Sequence, residues 1–330
     1  MRTITYREAL REALAEEMAL DENVVLIGED IGIHDGPFQV TAGLFKKFGG
    51  NRVRNTPISE VAIAGAAIGA AAVGLRPVAE FMFDDFLFVA GDQIVNQMAK
   101  LRYMSGGQVS LPLVIRMPMG AGLSQAAQHA QCVMGMFMNV PGLKVVCPTT
   151  PYDAKGTLKA SIRDNSPVLF FEHLTYYDSK GEVPEDDYIV PLGKASIKKK
   201  GKDITIVAVT EMVKKSLNVA NRLEEKGISI EVIDPVSLVP LDMGTIINSV
   251  KKTNKVIIAY NGPKTNGAGT EISARLNEEA FEYLDAPIYR IAEKDCPLPF
   301  SPKLEAVVLP QEKDIEEAVQ KLLAGKKVLD

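Results

Sequence analysis

The sequence predicts an α/β fold in two domains, and three observations lead there. Its length of 330 residues exceeds what one hydrophobic core organises, since cores seldom grow past about 250–300 residues. Strand-like apolar runs alternate with helical patterns in both halves, which is the signature of parallel sheets covered by helices. Between the halves lies a turn-rich, acidic stretch from Ser179 (SKGEVPEDD) to about Gly201, containing Pro184 and Pro191. The expected boundaries are 1–185 for the first domain, 186–200 for the linker and 201–330 for the second.

The opening MRTITYREALREALAEEM places Leu10, Leu14 and Met18 on one helical face and carries several acids, so it reads as an amphipathic helix rather than a signal or transit peptide. Strands are expected over 24–27, 77–81, 113–116, 144–147 and 168–171, with helices over about 60–73, 92–103 and 151–163. Beyond the linker, GKDITIVAV, EMVKKSLNVANRLEEKG and ISIEVIDP read as strand, helix and strand. KVIIAY and a helix over 269–284 extend that second sheet.

Composition narrows the function classes. With 46% apolar and 24% charged residues the chain has the make-up of a globular protein. A net charge of −5 with interspersed signs gives no reason to expect nucleic acid or an anionic membrane as partner, and the basic runs 198–200 and 251–252 read as solvated faces. Cys132, Cys147 and Cys296 show no close pairing of the kind a metal ribbon or redox dithiol needs, so a reducing cytoplasm is expected. The longest apolar run, 61–75, is mostly alanine and glycine and too short to span a bilayer.

Open parallel sheets bind ligands beyond the carboxyl ends of their strands, which directs attention to three loops. GEDIG at 28–32 sets Glu29 and Asp30 between glycines that permit unusual backbone angles; its plainer reading is a turn with solvated acids. NTPISEVAIAGAAIGAAAVG leads into a helix with Ser59 as a candidate N-cap and Glu60 at the start, where the macrodipole alone explains an acid. Gly65, Gly69 and Gly74 invite close packing of another backbone, within the chain or across a subunit interface. MPMGAGLSQAAQHAQ delivers His129 on a glycine-rich loop, although a lone histidine is more often structural than catalytic. His34 and His173 have no spacing that suggests zinc. Phosphate-loop, dinucleotide-turn and nucleophile-elbow motifs are all missing from the sequence.

Taken together, these segments resemble the β subunit of the thiamine-diphosphate-dependent decarboxylating component of 2-oxo acid dehydrogenase complexes, a transketolase-like family that includes pyruvate, branched-chain and acetoin dehydrogenases. Its markers occur in order along essentially the whole chain: GEDIG (28–32), TPISE (56–60), GLRPVAEFMF (74–83), DQIVNQMAKLRYMSGGQ (92–108), QHAQ (128–131), PGLKVVCPTTPYDAKG (141–156), SIRDNSPVLFFE (161–172), GEVPEDDY (181–188), PLGKA (191–195) and LDAPIYRI (284–291). The resemblance implies a pyrimidine-binding first domain and a transketolase-like C-terminal domain.

It also implies a shared cofactor. In the family an α chain holds the diphosphate and magnesium through a Gly-Asp-Gly motif that this sequence lacks. This chain would supply the pyrimidine half and be inactive alone, unlike a single-chain transketolase. Glu60 would donate a hydrogen bond to the pyrimidine and so favour the tautomer that takes the thiazolium proton, forming the ylide; desolvation would favour its neutral form. Ile58, Met82 and Phe86 would wall the pyrimidine, with core packing the alternative reading, strongest for Met82 and Ile58. Glu29 would belong to an acidic path between paired active sites. His129 would assist the bound intermediate or its transfer to lipoyl. Some members hold a structural potassium ion through backbone oxygens at positions matching Leu113, Ser161, Ile162, Asp164 and Ser166. The expected assembly is an α2β2 heterotetramer docked on a dihydrolipoyl acyltransferase core, with Gly65 and Gly69 on the helix that joins two β subunits. Pyruvate or acetoin is the favoured substrate and a branched-chain 2-oxo acid the alternative; a noncatalytic scaffold of the same fold is the rival from another class.

Two stretches depart from the family. AYNGPKTNGAG (259–269) replaces a His-Glu-Ala-Pro and Gly-Gly-Phe-Gly pattern, and QHAQ lacks the serine that commonly follows the histidine.

Overall fold

The computed structural model describes residues 1–325. Contacts divide the chain into two units: Met1–Met119 with Phe137–Leu192, and Gly120–Met136 with the chain from Gly193 onward. The boundary at 192–193 falls inside the expected linker. The excursion of Gly120–Met136 into the second unit is not visible in the sequence, because nothing local distinguishes it from an ordinary loop between a strand and a helix.

In the first unit the strands run in the order Lys144–Val146, Val168–His173, Val114–Met119, Arg76–Glu80, Val24–Glu29, Val53–Thr56, each parallel to its neighbours. Val114–Met119 and Val168–His173 are buried along their whole length, which explains why both read as continuous apolar runs rather than alternating ones. Because every strand points the same way, Glu29, Thr56, Glu80, Met119 and His173 end along one edge of the sheet.

The N-terminal helix, Tyr6–Leu20, starts at a capping box in which Thr5 Oγ1 accepts from the Glu8 amide at 3.2 Å and the Thr5 amide donates to Glu8 Oε2 at 2.7 Å. It lies against the helix Pro151–Arg163, and the face between them carries two fully buried lysines. Lys155 is tied to Glu12 (3.1 Å) and Glu16 (2.6 Å), and Lys159 to Glu16 (2.5 Å) and Asp187. Pairing is what makes such burial tolerable.

The second unit has its own sheet in the order Tyr289–Glu293, Val256–Pro263, Ile204–Ala208, Ile230–Asp234, Ser196–Lys199, parallel except for the last pair. Its core forms where helices Glu211–Glu224 and Glu312–Leu323 bring Met212, Val219, Leu223, Ile315 and Val319 onto the strands.

The long elements fall where the hydrophobic periodicity placed them, including the helices Glu60–Ala72 and Ala268–Ala280. The helix expected over 92–103 opens with wide π-type turns at Gln93–Met98 before becoming α-helical at Ala99–Met104. Part of the stretch from Ser179 to Gly201 is ordered as edge strands: Lys180–Val183 pairs antiparallel with Arg2–Thr5, and Ser196–Lys199 with Ile230–Asp234. Edge strands of four residues with mixed polarity give no pattern that periodicity can detect. Cys132, Cys147 and Cys296 are all free thiols, and no helix among the described residues is long and apolar enough to cross a membrane.

Candidate active site

Glu60 is the first residue of the helix Glu60–Ala72, four positions past the end of the strand Val53–Thr56. It therefore stands at the carboxyl edge of the sheet with its helix dipole behind it. The residue is only 8% exposed, yet among the described residues no hydrogen bond or ion pair engages its carboxyl. A helix-start acid kept only for the dipole would face water. Ser59 occupies the N-cap position but its side chain makes no capping hydrogen bond, so the expected Ser59 cap is not made.

Ile58, two residues earlier, is 74% exposed. That excludes the core-packing alternative for Ile58 within this chain and leaves a bare aliphatic side chain beside a buried acid. Met82 and Phe86 follow the strand Arg76–Glu80 and are both half-buried. Phe86 sits in the 3-10 turn Asp84–Phe88 and meets Phe83 edge-on, with ring centroids 5.9 Å apart. Phe83 in turn meets Phe38 edge-on at 5.8 Å, so Phe86 ends a row of interlocked rings.

Glu29 ends the strand beside Val53–Thr56, in register with Thr56. Burial first, and then the neighbouring carboxylates of Asp30 and Glu60, push the Glu29 carboxyl above its ordinary range. Glu29 thus lies within the electrostatic reach of Glu60. Within GEDIG the unusual backbone angle falls on Asp30, with φ 53°, rather than on either glycine. Gly28 answers a different need: a Cβ there would stand 3.0 Å from the Glu80 carbonyl oxygen of the adjacent strand.

Beneath this edge lies a charged cluster that no sequence motif marks. Arg116 is fully buried and forks onto Glu172, Nε to Oε1 at 2.7 Å and Nη2 to Oε2 at 2.5 Å, while Nη1 reaches Glu80. The Tyr177 hydroxyl donates to Glu172 at 2.7 Å. Burial raises the Glu80 carboxyl, with the Arg116 charge opposing it, and burial together with Glu172 holds the Tyr177 phenol well above its ordinary value. The available signal was a lone charge in each of two apolar strands, VIRMPM and VLFFEH.

His129 belongs to the second unit, on the loop Gly120–Met136, and is exposed. Of the five positions matched to a potassium site, Ser161 and Ile162 lie in the last turn of the helix Pro151–Arg163, Asp164 and Ser166 just past its end, and Leu113 just before the strand Val114–Met119. Several of their backbone oxygens already accept hydrogen bonds. Arg76 Nη1 donates to the Ile162 and Asp164 carbonyls at 2.9 and 3.3 Å, the Asp164 amide to Ser161, and the Val168 amide to Leu113. Arg76 thus brings a guanidinium to two of these backbone oxygens. No group of three or more His, Cys, Asp or Glu side chains among the described residues is placed to hold a metal ion.

The outer side of the helix Glu60–Ala72 exposes Val61, Ala62, Gly65, Ala66, Gly69 and Ala72, with no polar side chain among them. A Cβ added at Gly65 or Gly69 would meet nothing within 4 Å. Close packing at these glycines inside the chain, one of the two expectations, does not occur among the described residues.

Two family models match the chain: the transketolase pyrimidine binding domain over residues 2–178 and the transketolase C-terminal domain over residues 193–315. The chain is 46% identical to the pyruvate dehydrogenase E1 component subunit beta of Rhizobium meliloti (strain 1021), across 97% of this chain and 70% of that one. It is 47% identical to the acetoin:2,6-dichlorophenolindophenol oxidoreductase subunit beta of Bacillus subtilis (strain 168), across 98% of both, and 45% identical to the 2-oxoisovalerate dehydrogenase subunit beta of the same organism, across 98% and 99%. A split-gene transketolase solved as an inactive β4 tetramer superimposes with a TM-score of 0.80 at 26% identity, covering 98% of this chain and 99% of the other. The parallel sheet with its edge-borne acid, the two matching domains and the full-length relatives together establish that the chain belongs to the family of β subunits of 2-oxo acid and acetoin dehydrogenase E1 components, with the two-domain transketolase-like fold.

Proposed function

We propose that this chain acts with an α subunit as the decarboxylating component of a pyruvate- or acetoin-type dehydrogenase, using thiamine diphosphate and passing the acyl group to a lipoyl group of an acyltransferase core. The observation that carries the reading is Glu60: a buried acid with no hydrogen-bond or ion-pair partner among the described residues, at the carboxyl edge of a parallel sheet, beside the exposed Ile58. The chemistry of these positions fits the pyrimidine half of the cofactor. Glu60 would hold a ring nitrogen through a hydrogen bond from its carboxyl, and Ile58, Met82 and Phe86 would flank the ring with apolar surface.

Thiamine diphosphate, when bound, supplies the carbon that adds to the substrate carbonyl and accepts the electron pair of the broken carbon–carbon bond. Glu60 would hold its hydrogen bond at the pyrimidine nitrogen and so act at a distance from substrate. Glu29, with its raised carboxyl, holds a proton at pH values where an exposed glutamate has lost it, and lies in the same field as Glu60. Once covered by the cofactor and a partner chain, Ile58 and Phe86 would keep water away from Glu60. His129 would hold or move a proton at the acyl group during transfer. The diphosphate and its magnesium are assigned to the α chain, since this sequence has no Gly-Asp-Gly motif. The related transketolase chain described as an inactive β4 tetramer supports the view that such a chain is inactive without its partner. The bare helix face at Gly65 and Gly69 supports a second β subunit there in an α2β2 assembly.

The deciding experiment is Glu60→Gln assembled with the α partner and assayed on pyruvate, acetoin and 2-oxoisovalerate. Loss of about 100-fold or more in kcat, with the assembly intact, is expected. Wild-type turnover on every substrate would remove Glu60 from the chemistry and restore the scaffold reading.

A further inference from the structure

His129 rides on a loop of unusual construction. The Gly120 amide donates to the Gln131 carbonyl at 3.1 Å, closing the base of the loop. Within it, Ser124 and Ala126 take left-handed backbone angles, φ 56° and 64°, which L residues adopt only when the surroundings impose them. Something must hold such a loop in shape.

We propose that Glu305 is the positioning residue for His129. This rests on the reading of His129 as a proton carrier at the acyl group. Glu305 lies on the short helix Pro302–Val308 and is 3% exposed. Its carboxylate gathers the loop amides: Gly122 N–H donates to Oε1 at 3.0 Å, and Ser124 N–H is shared between Oε1 at 3.3 Å and Oε2 at 3.2 Å. Amide bonds to an ionised acceptor are among the stronger hydrogen bonds in proteins, and here they converge on one carboxylate from two alternate residues of a strained turn. An apolar contact locks the same region, with Ala121 and Ala130 packed together with Leu298, Val308 and Leu309.

The far side of the loop is held separately, by the very segment that departs from the family pattern. Cys132 Sγ lies 3.3 Å from the Asn261 carbonyl oxygen. A Cβ at Gly262 would come within 3.1 Å of the Cys132 carbonyl oxygen, and one at Gly135 within 3.1 Å of that of Asn266. His129 is therefore suspended between two anchors, Glu305 before it and the 261–268 turn after it. Only the first is a single side chain whose removal would free the loop without a backbone clash. A glutamine at 305 would keep one acceptor oxygen and aim an N–H at a second amide; an alanine would leave both amides without their acceptor.

The test uses the assembled enzyme carrying E305A, E305Q or H129A. In E305A, amide hydrogen exchange over 120–131 should accelerate about tenfold or more while exchange over 60–72 and 204–208 stays at wild-type rates. Turnover with the lipoyl acceptor should fall about 10–100-fold, as expected for misplacement of a reacting group by an ångström or so. The KM for thiamine diphosphate should stay within about twofold, because Glu60 is untouched; a general loss of fold would move both constants. Unchanged exchange in E305A overturns the proposal, and so does faster exchange with wild-type turnover. E305Q should give the same pattern at smaller amplitude and serves if E305A fails to assemble. Full turnover by H129A would instead sink the assignment of His129, and the exchange measurement would still decide whether Glu305 holds the loop.

Discussion

Arg116 and Glu172 form a two-pronged pair inside the sheet of the first unit, at 2.7 and 2.5 Å, with no water-accessible atom on the carboxylate residue. Breaking such a pair from one side leaves a buried charge uncompensated, which typically costs about 3–5 kcal/mol. Arg116→Met should lose that much in urea unfolding. A triple variant, Arg116→Met with Glu172→Leu and Glu80→Leu, should recover most of it, because an apolar trio has no desolvation to offset. A single variant as stable as wild type would show that the charges are not paired as described.

Arg76 ties the start of its strand to the turn at 161–166. It donates to the carbonyls of Ile162 and Asp164 and, at 2.8 Å, to Asn165 Oδ1, and Nε lies 3.5 Å from Asp21. Loss of a charged hydrogen bond typically costs about 1.5–3 kcal/mol, and several bonds made by one partly exposed guanidinium do not add in full. Arg76→Ala should therefore lower stability by about 2–3 kcal/mol, checked by denaturant melts. The salt in those melts separates two cations: recovery in potassium chloride but not in sodium chloride would indicate a metal ion at the turn, and equal loss in both would leave the guanidinium as its cation.

Glu293 offers a pH signature in the second unit. Burial pushes its carboxyl from 4.5 up to about 7, opposed by the Gly262 amide and the Asn261 side chain. The folded state thus keeps a proton that the unfolded chain releases near 4.5. The associated stability is fully present below pH 4.5 and drains away as pH rises toward 7, by about 3 kcal/mol in all. Glu293→Gln should flatten this part of the stability–pH curve and gain most over the wild type above pH 7. Parallel curves for the two proteins between pH 4.5 and 8 would refute the assignment.

Long apolar periodicities were readable at once: the strands Val24–Glu29 and Val168–His173 and the helices Glu60–Ala72 and Pro151–Arg163 follow from spacing alone. Glu60 was legible as a helix-start acid, but its burial was not, because that depends on how the helix meets the sheet. For Ile58 the residues alone left core packing open beside the position implied by the resemblance, and only the fold shows that its side chain faces outward. Glu305 carries no local signal, since a glutamate in PKLEAVV suits any exposed helix; its partners lie 181 and 183 residues away in sequence. The short edge strands were lost for a different reason, having too few residues to display a period.

The bare outer side of the helix Glu60–Ala72 links two quantities that are usually independent. Covering apolar surface of this kind yields roughly 25 cal/mol for each Å² removed from water, and the acid is the first residue of the same rigid rod. Any order that a neighbouring chain imposes on the rod arrives at its tip. Dilution, by emptying that face of any chain seated on it through mass action, would then loosen the helix at whose tip Glu60 stands, and protein concentration itself would become a control on how firmly that acid is held.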